Sequence, residues 1–229
     1  MAETFLKLLK EDSPLKIVGT INAYSALLAK KSGHKAIYLS GAGVANASYG
    51  LPDLALTSRD NVLEDLRRIK GIVDLPILVD CDTGWGSGLN ISKTIKEMIS
   101  AGADAVHLED QVSEKRCGHR PGKEIVSEEE MVDRIKAAKD SITKEDFMLM
   151  ARTDAFSKEG INSVIDRSNA FVEAGADSIF PEAITKLEDY YEISKNVNAP
   201  ILANITEFGL TPMFKTCLLY TSDAADDVY

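Results

Sequence analysis

The sequence predicts an α/β fold, a parallel β/α barrel of the TIM type, from three observations. Short apolar runs rich in β-branched residues alternate with helical patterns along the chain, polar residues follow nearly every run, and two junction sequences recur. Such alternation implies a parallel sheet wrapped by helices. In a parallel barrel the strand ends converge on one mouth, the face on which barrel enzymes place their chemistry.

The runs are too short for helices and read as strands buried on both faces. Lys16–Thr20 is the first, and Ala36–Leu39 follows, ending at Ser40-Gly41. Asn61–Lys70 has helical spacing and leads to Ile77–Asp80, beyond which stands Asp82. A helix over Ile91–Ser100 precedes Ala105–Leu108, which runs into Glu109-Asp110. Ser127-Glu128-Glu129-Glu130 has capping-box spacing and opens a helix over Glu128–Lys139. Phe147–Ala151 is followed by Arg152 and Asp154, then by a helix over Ile161–Ala174. Ser178–Phe180 leads to Glu182, a helix over Leu187–Asn196 follows, and Ile201–Asn204 ends close to Thr206.

The repeated junctions support this unit. Ala101-Gly102-Ala103-Asp104 returns as Ala174-Gly175-Ala176-Asp177, where glycine suits a left-handed helix cap before the next strand. Leu75-Pro76-Ile77-Leu78 returns as Ala199-Pro200-Ile201-Leu202, with proline at a strand entrance that need not donate a ladder hydrogen bond. Generic α/β junctions would show the same residues, so the echoes raise the expectation of a barrel without settling it. An open dinucleotide-binding sheet fits less well, because Gly84-Trp85-Gly86 lacks the third glycine of that fingerprint.

A chain of 229 residues, 45% hydrophobic, can bury one substantial core as a single domain. The formal charge of −10 gives no net positive field for phosphate backbones, and no local basic stripe offers one, so nucleic acid is not an expected partner. Cys81, Cys117 and Cys217 are odd in number and lack C-x-x-C spacing, which fits a reducing, cytoplasmic setting better than a disulfide framework or zinc ribbon. Glu3, Lys7, Lys10, Glu11 and Asp12 interrupt the first segment, which therefore lacks the apolar region of a signal peptide. No later stretch reaches membrane-spanning length.

The chemistry concentrates at the strand ends. Asp80 and Asp82 stand two apart, so period-two geometry sends both carboxylates to one side. Hard paired oxygens suit Mg²⁺, which keeps waters and accepts substrate oxygens. A bare D-x-D is more often a solvated loop with capping aspartates; the row of polar strand ends shifts the reading to a metal. His107 shares parity with Glu109 and reads as a hydrogen-bonded core histidine, whereas an unpartnered buried Glu109 would cost several kcal/mol or change protonation. Gln111–Ile125 is a long polar loop rooted at the mouth, as lids are. Within it Cys117 is flanked by Lys115, Arg116, His119 and Arg120, cations that favour thiolate and make a proton-transferring cysteine credible. Arg152 could clamp a substrate carboxylate or simply pair with Asp154.

Four motifs make a resemblance specific: Ser40-Gly41-Ala42-Gly43, Asp80-Cys81-Asp82-Thr83-Gly84, Lys115-Arg116-Cys117-Gly118-His119-Arg120 and Asn204-Ile205-Thr206-Glu207. From about Ser13 to about Phe214 the chain resembles the methylisocitrate lyase branch of the isocitrate lyase/phosphoenolpyruvate mutase superfamily. The resemblance implies an Mg²⁺-dependent β/α barrel, commonly tetrameric, that cleaves the tricarboxylate 2-methylisocitrate to pyruvate and succinate in the methylcitrate route of propionate breakdown. It implies that Asp80 and Asp82 hold the metal, partly through water, and that Ser40, Gly41 and Ala42 bind a substrate carboxylate. Cys117 and Gly118 would close over the substrate, with Arg152, Glu182, Asn204, Ile205 and Thr206 completing the pocket. Cys117 is the candidate acid and Tyr38 the candidate assistant in proton transfer or placement. The Cys117 loop favours a lyase over the mutase, hydrolase and decarboxylase relatives that share the metal site.

After Phe214 the resemblance stops, and the run Cys217–Tyr229 reads as adapter-like sequence closing a truncated frame, with a divergent natural terminus as the alternative. Residues 1–214 are then the catalytic barrel and 215–229 an anomalous tail. About seven strands are counted where a closed barrel needs eight, so the expected barrel is incomplete, lacking its last strand and C-terminal helices. The corresponding alternatives for function are an inactive fragment of the lyase, or a related isocitrate lyase or 2-oxo acid enzyme of the superfamily.

Overall fold

The computed structural model describes residues 4–12, 14–207 and 209–220. Helix α1 (Phe5–Glu11) is followed by β1 (Ile17–Thr20), α2 (Ala23–Lys31) and β2 (Ala36–Leu39), then by a short helical turn α3 (Gly41–Gly43) continuing as π-helix through Val44–Ser48. The alternation proceeds through α4 (Arg59–Lys70), β3 (Ile77–Asp80), α5 (Gly88–Ala101), β4 (Ala105–Glu109) and α6 (Glu128–Lys139). It then runs through β5 (Met148–Thr153), α7 (Phe156–Glu173, broken at Gly160), β6 (Ser178–Pro181), α8 (Leu187–Asn196) and α9 (Thr216–Tyr220).

All six strands are parallel and lie in chain order, each hydrogen-bonded to the next. With helices on the outside the sheet curls into a half-barrel. The seventh strand expected over Ile201–Asn204 is a correction: among the described residues only Ile201 bridges Ile179, with Leu202 N–H donating to the Ile179 carbonyl at 2.8 Å. The chain then leaves the sheet, and Asn204 turns its amide towards His119 and Glu182. The tail expectation falls largely on residues 221–229, which lie outside the described residues. Residues 216–220 are helical, and Leu219 is buried. No described helix is long and apolar enough to cross a membrane.

Strand parity sorts the core into two layers. Outward-facing Ile37, Val79, Val106, Leu149 and Ile179 pack against the helices in the larger cluster. Inward-facing Ala36, Leu78, Ala105, Met148, Met150 and Phe180 form the smaller one, closed from below by Phe5, Leu8 and Leu9 of α1. Those apolar positions in the first segment therefore belong to a plug at the floor of the barrel. Burying each such side chain stabilises the fold by roughly 1.5–3 kcal/mol.

The echoed junctions do the same work twice. Gly102 and Gly175 both have positive φ, 100° and 112°. Behind them Asp104 accepts from the Ile77 N–H at 3.1 Å and Asp177 from the Leu149 N–H at 2.8 Å, so each aspartate satisfies a donor near the start of a neighbouring strand.

Candidate active site and metal centre

The apolar floor gives way to charge at the strand C-termini. In register, Asp80 stands beside His107, and Glu109 beside Arg152, which in turn neighbours Phe180. Parity places Tyr38 and these residues inside the half-barrel, so one ring of inward positions supplies a tyrosine, two acids, a histidine and an arginine.

Asp80, Asp82 and Glu109 each bring a carboxylate oxygen within 4.8 Å of the other two, and all three are buried. Asp80 is held by the Gly41 N–H at 3.0 Å, the Asp82 N–H at 3.1 Å and the Tyr38 hydroxyl at 3.3 Å. Asp82 reaches the cluster through a left-handed backbone, φ 46°, uncommon for a residue with a side chain. Lys115 Nζ pairs with Asp82 Oδ1 at 2.7 Å, and among the described residues that oxygen has no other donor. Neither oxygen of Glu109 has one, although Arg152 Nη1 is 3.3 Å away.

Burial opposes the charge on Asp80, but His107, Lys115 and Arg152 outweigh it and hold its carboxyl below the ordinary range. Burial also brings His107 down to about 4, against the pull of Asp80, so the ring is neutral near pH 7 and the two cations carry the effect. Asp82 goes the other way, pushed up to about 6 by burial and by Asp80. Burial raises Glu109 well above its ordinary value, with Arg152 working against it. Three crowded carboxylates, with both Glu109 oxygens lacking a hydrogen-bond donor, are a donor set for a hard divalent cation, which would supply the missing partners. His107 is the hydrogen-bonded core residue expected, its Nε2 3.0 Å from the Tyr38 hydroxyl.

Arg152 makes the pair with Asp154 and faces two further acids as well. Its Nε and Nη2 grip Asp154 at 2.9 and 3.2 Å, while Nη1 lies 3.3 Å from both Glu109 and Glu182, and the guanidinium sits over the Phe180 ring. Above it folds the loop from Gln111 to Ile125, its two ends joined by an antiparallel bridge between those residues. Two of the loop's basic side chains have acidic partners of their own. Lys115 is drawn to Asp53 and Asp82, and His119 to Glu182 at 3.1 Å, with His119 Nδ1 accepting from the Leu210 N–H. Gly118 is packed so tightly that a Cβ there would lie 2.3 Å from Glu182 Cγ and 2.4 Å from Arg152 Nη2.

Loop and strand ends together enclose a cavity of about 500 Å³. Tyr38, Ser40, Ala42, Asp80, Cys117, Gly118, Arg152, Glu182, Asn204, Ile205 and Thr206 all line it, so the sequence-predicted residues meet at one place. Gly41 and Asp82 stand just behind its wall, Gly41 with its N–H on Asp80. Ser40 also caps the turn that follows, accepting from the Gly43 N–H. Sequence reasoning missed Asp53, which carries no local signal, and placed Lys115 and His119 only as neighbours of Cys117.

The phosphoenolpyruvate phosphomutase family model matches residues 5–217. A 2-methylisocitrate lyase of Escherichia coli (strain K12) is 55% identical over 228 residues, covering 99% of this chain and 77% of the relative. Another from Shewanella oneidensis is 59% identical over 210 residues, covering 92% and 72%. Among solved structures, oxaloacetate acetylhydrolase in complex with 3,3-difluorooxalacetate superposes with TM-score 0.92 at 30% identity, over 99% of this chain and 78% of that one. Phosphonopyruvate hydrolase in complex with oxalate and Mg²⁺ does so with TM-score 0.81 at 26% identity, over 97% and 76%. The chain belongs to the phosphoenolpyruvate mutase/isocitrate lyase superfamily, and its relatives place it among that group's carbon–carbon lyases.

Proposed function

We propose that the chain is a Mg²⁺-dependent lyase that cleaves 2-methylisocitrate to pyruvate and succinate, as a step of propionate breakdown in the cytoplasm, and that it works as a homo-oligomer, a tetramer by family likeness. The observation that carries the reading is the meeting of the Asp80–Asp82–Glu109 cluster, the Arg152 guanidinium and the Cys117 loop on one cavity. Relatives at 55–59% identity named 2-methylisocitrate lyase supply the substrate.

Asp80 and Asp82 are the proposed holders of Mg²⁺, and Glu109 is close enough to bind it or its water. When bound, the ion polarises a hydroxyl or keto oxygen as a Lewis acid, which retro-aldol scission requires. Ser40 and Ala42 offer a hydroxyl and a backbone N–H to one substrate carboxylate, and Gly41, whose own N–H is on Asp80, holds the turn between them. Arg152, Asn204, Ile205 and Thr206 receive the succinate half, and the charge that develops there as the carbon–carbon bond breaks is met by the guanidinium. Glu182, tied to His119 and Arg152, fixes both. Cys117, carried by the loop, protonates the carbanionic carbon. Tyr38 stays a phenol, because burial and Asp80 push it well above its ordinary value. It is therefore no base at this site: its O–H orients Asp80, and its oxygen accepts from His107 when Nε2 carries the proton. The closed loop keeps bulk water from protonating the fragment out of turn.

The test is pyruvate release from 2-methylisocitrate with Mg²⁺ and with a chelator, beside glyoxylate release from isocitrate. Mg²⁺-dependent pyruvate release supports the reading; preferred glyoxylate release assigns the sister substrate, and silence with both overturns it.

A further inference from the structure

Lys123 stands at the foot of the loop, next to the backbone bond from Val112 N–H to the Glu124 carbonyl, and is almost wholly buried. A lysine in that condition needs an anion, because a buried unpaired ammonium is costly. Its partner is Asp154, whose Oδ1 accepts from Nζ at 2.8 Å and, at the longer distance of 3.2 Å, from Arg152 Nη2. Asp154 Oδ2 takes Arg152 Nε, and its backbone N–H is fixed on Asp110 Oδ1. One carboxylate is therefore divided between two cations, only one of which lines the cavity.

The charge count decides what this arrangement does. Arg152 and Asp154 alone would form a neutral bidentate pair with little field left for an anion in the cavity. Glu109 and Glu182 also stand 3.3 Å from Arg152 Nη1, so Lys123 is the second cation set against three carboxylates and shifts their balance by one positive charge, in a buried setting where electrostatic interactions are only weakly screened. We infer that Lys123 is a positioning residue that readies Arg152 for a substrate carboxylate, by taking a share of Asp154 and so weakening that aspartate's hold on the guanidinium. This rests on the reading of Arg152 as the carboxylate-binding group.

Succinate binding to the full chain with Mg²⁺, followed by calorimetry, separates the possibilities. Lys123→Gln, which keeps a hydrogen-bond donor but loses the charge, is expected to weaken succinate at least tenfold, and Lys123→Met likewise. Lys123→Arg should bind within about threefold of the unmodified chain. The decisive variant is the double change Lys123→Gln with Asp154→Asn, which restores the charge balance lost with Lys123 and should recover most of the affinity; a merely structural role predicts no recovery. Unchanged binding by a folded Lys123→Gln, or a double variant as weak as the single, overturns the inference. Arg152→Lys is the control: if it binds succinate normally, the underlying reading of Arg152 is at fault, whereas loss there with normal Lys123→Gln binding removes only the role of Lys123.

Discussion

Lys115 crosses from the loop to the metal centre, its ammonium 2.7 Å from Asp82 Oδ1 and 2.5 Å from Asp53 Oδ1, with Lys115 and Asp82 both buried. One lysine thus joins three segments of chain, and its charge offsets the crowding of Asp80 and Asp82.

Breaking a buried ion pair from one side typically costs about 3–5 kcal/mol, because the partner is left charged and unpaired. Lys115→Met should therefore lower the melting temperature in chelator by on the order of 10 °C. A divalent cation replaces the lost charge, so added Mg²⁺ should raise the variant's melting temperature more than that of the unmodified chain. Equal Mg²⁺ shifts would show that Lys115 does not neutralise this cluster.

The tight seat of Gly118 predicts a different outcome. A methyl group there meets Glu182 and Arg152, whose side chains are buried and held by ion pairs and so cannot swing away. Overpacking of this kind costs about 1–3 kcal/mol in the closed state, but the loop can relieve it by opening. Gly118→Ala should thus leave the melting temperature within a few degrees while reducing kcat/KM by about 10–100-fold. A substantial melting loss with normal kinetics would show that the loop does not need to close against these two residues.

Much of this arrangement was legible in the sequence, and the reason is geometric. Ala36–Leu39 and Ile77–Asp80 form strands with the expected limits, and Glu128–Lys139 and Leu187–Asn196 form the expected helices, because burial writes a local pattern into each. Where position relative to a strand end sufficed, as for Asp80 and Arg152, the site residues could be picked out too. The pairing of Lys115 with Asp53 spans 62 residues and leaves no periodicity to read. Helix α1 was hidden for a similar reason: its short apolar face makes sense only against the barrel floor formed by residues far along the chain. The seventh strand failed because apolar composition predicts burial at Ile201, but not where the backbone must leave the sheet to deliver Asn204.

Asp154 supplies the pH dependence with the clearest sign. Burial opposes its charge, but Arg152 and Lys123 outweigh burial and lower its folded-state value below the ordinary 3.8. Its stabilisation is therefore fully present above the unfolded value and is lost as pH falls through the folded one. Asp154→Asn should be less stable than the unmodified chain at pH 7 by about 3–5 kcal/mol. That deficit should shrink as pH drops below about 4, measured by urea unfolding at a series of pH values. A deficit that stays constant into acid would mean that the aspartate acts through shape rather than charge.

The proton donor is the last group to isolate, because Cys117 lines the same cavity as the residues that bind the substrate. Serine keeps the shape of the side chain but is a far weaker acid than a thiol, so only steps that consume its proton should suffer. Cys117→Ser is expected to lower kcat by about 10²–10⁴-fold, the usual contribution of a positioned general acid, while KM and Mg²⁺ dependence change little. Reaction in D₂O sharpens the distinction. If the thiol delivers the proton, the unmodified chain should label one face of the succinate fragment, and residual turnover by the serine variant should lose that facial preference as water takes over. Turnover near that of the unmodified chain with unaltered labelling would remove Cys117 from the proton step and leave it as part of the loop's inner wall.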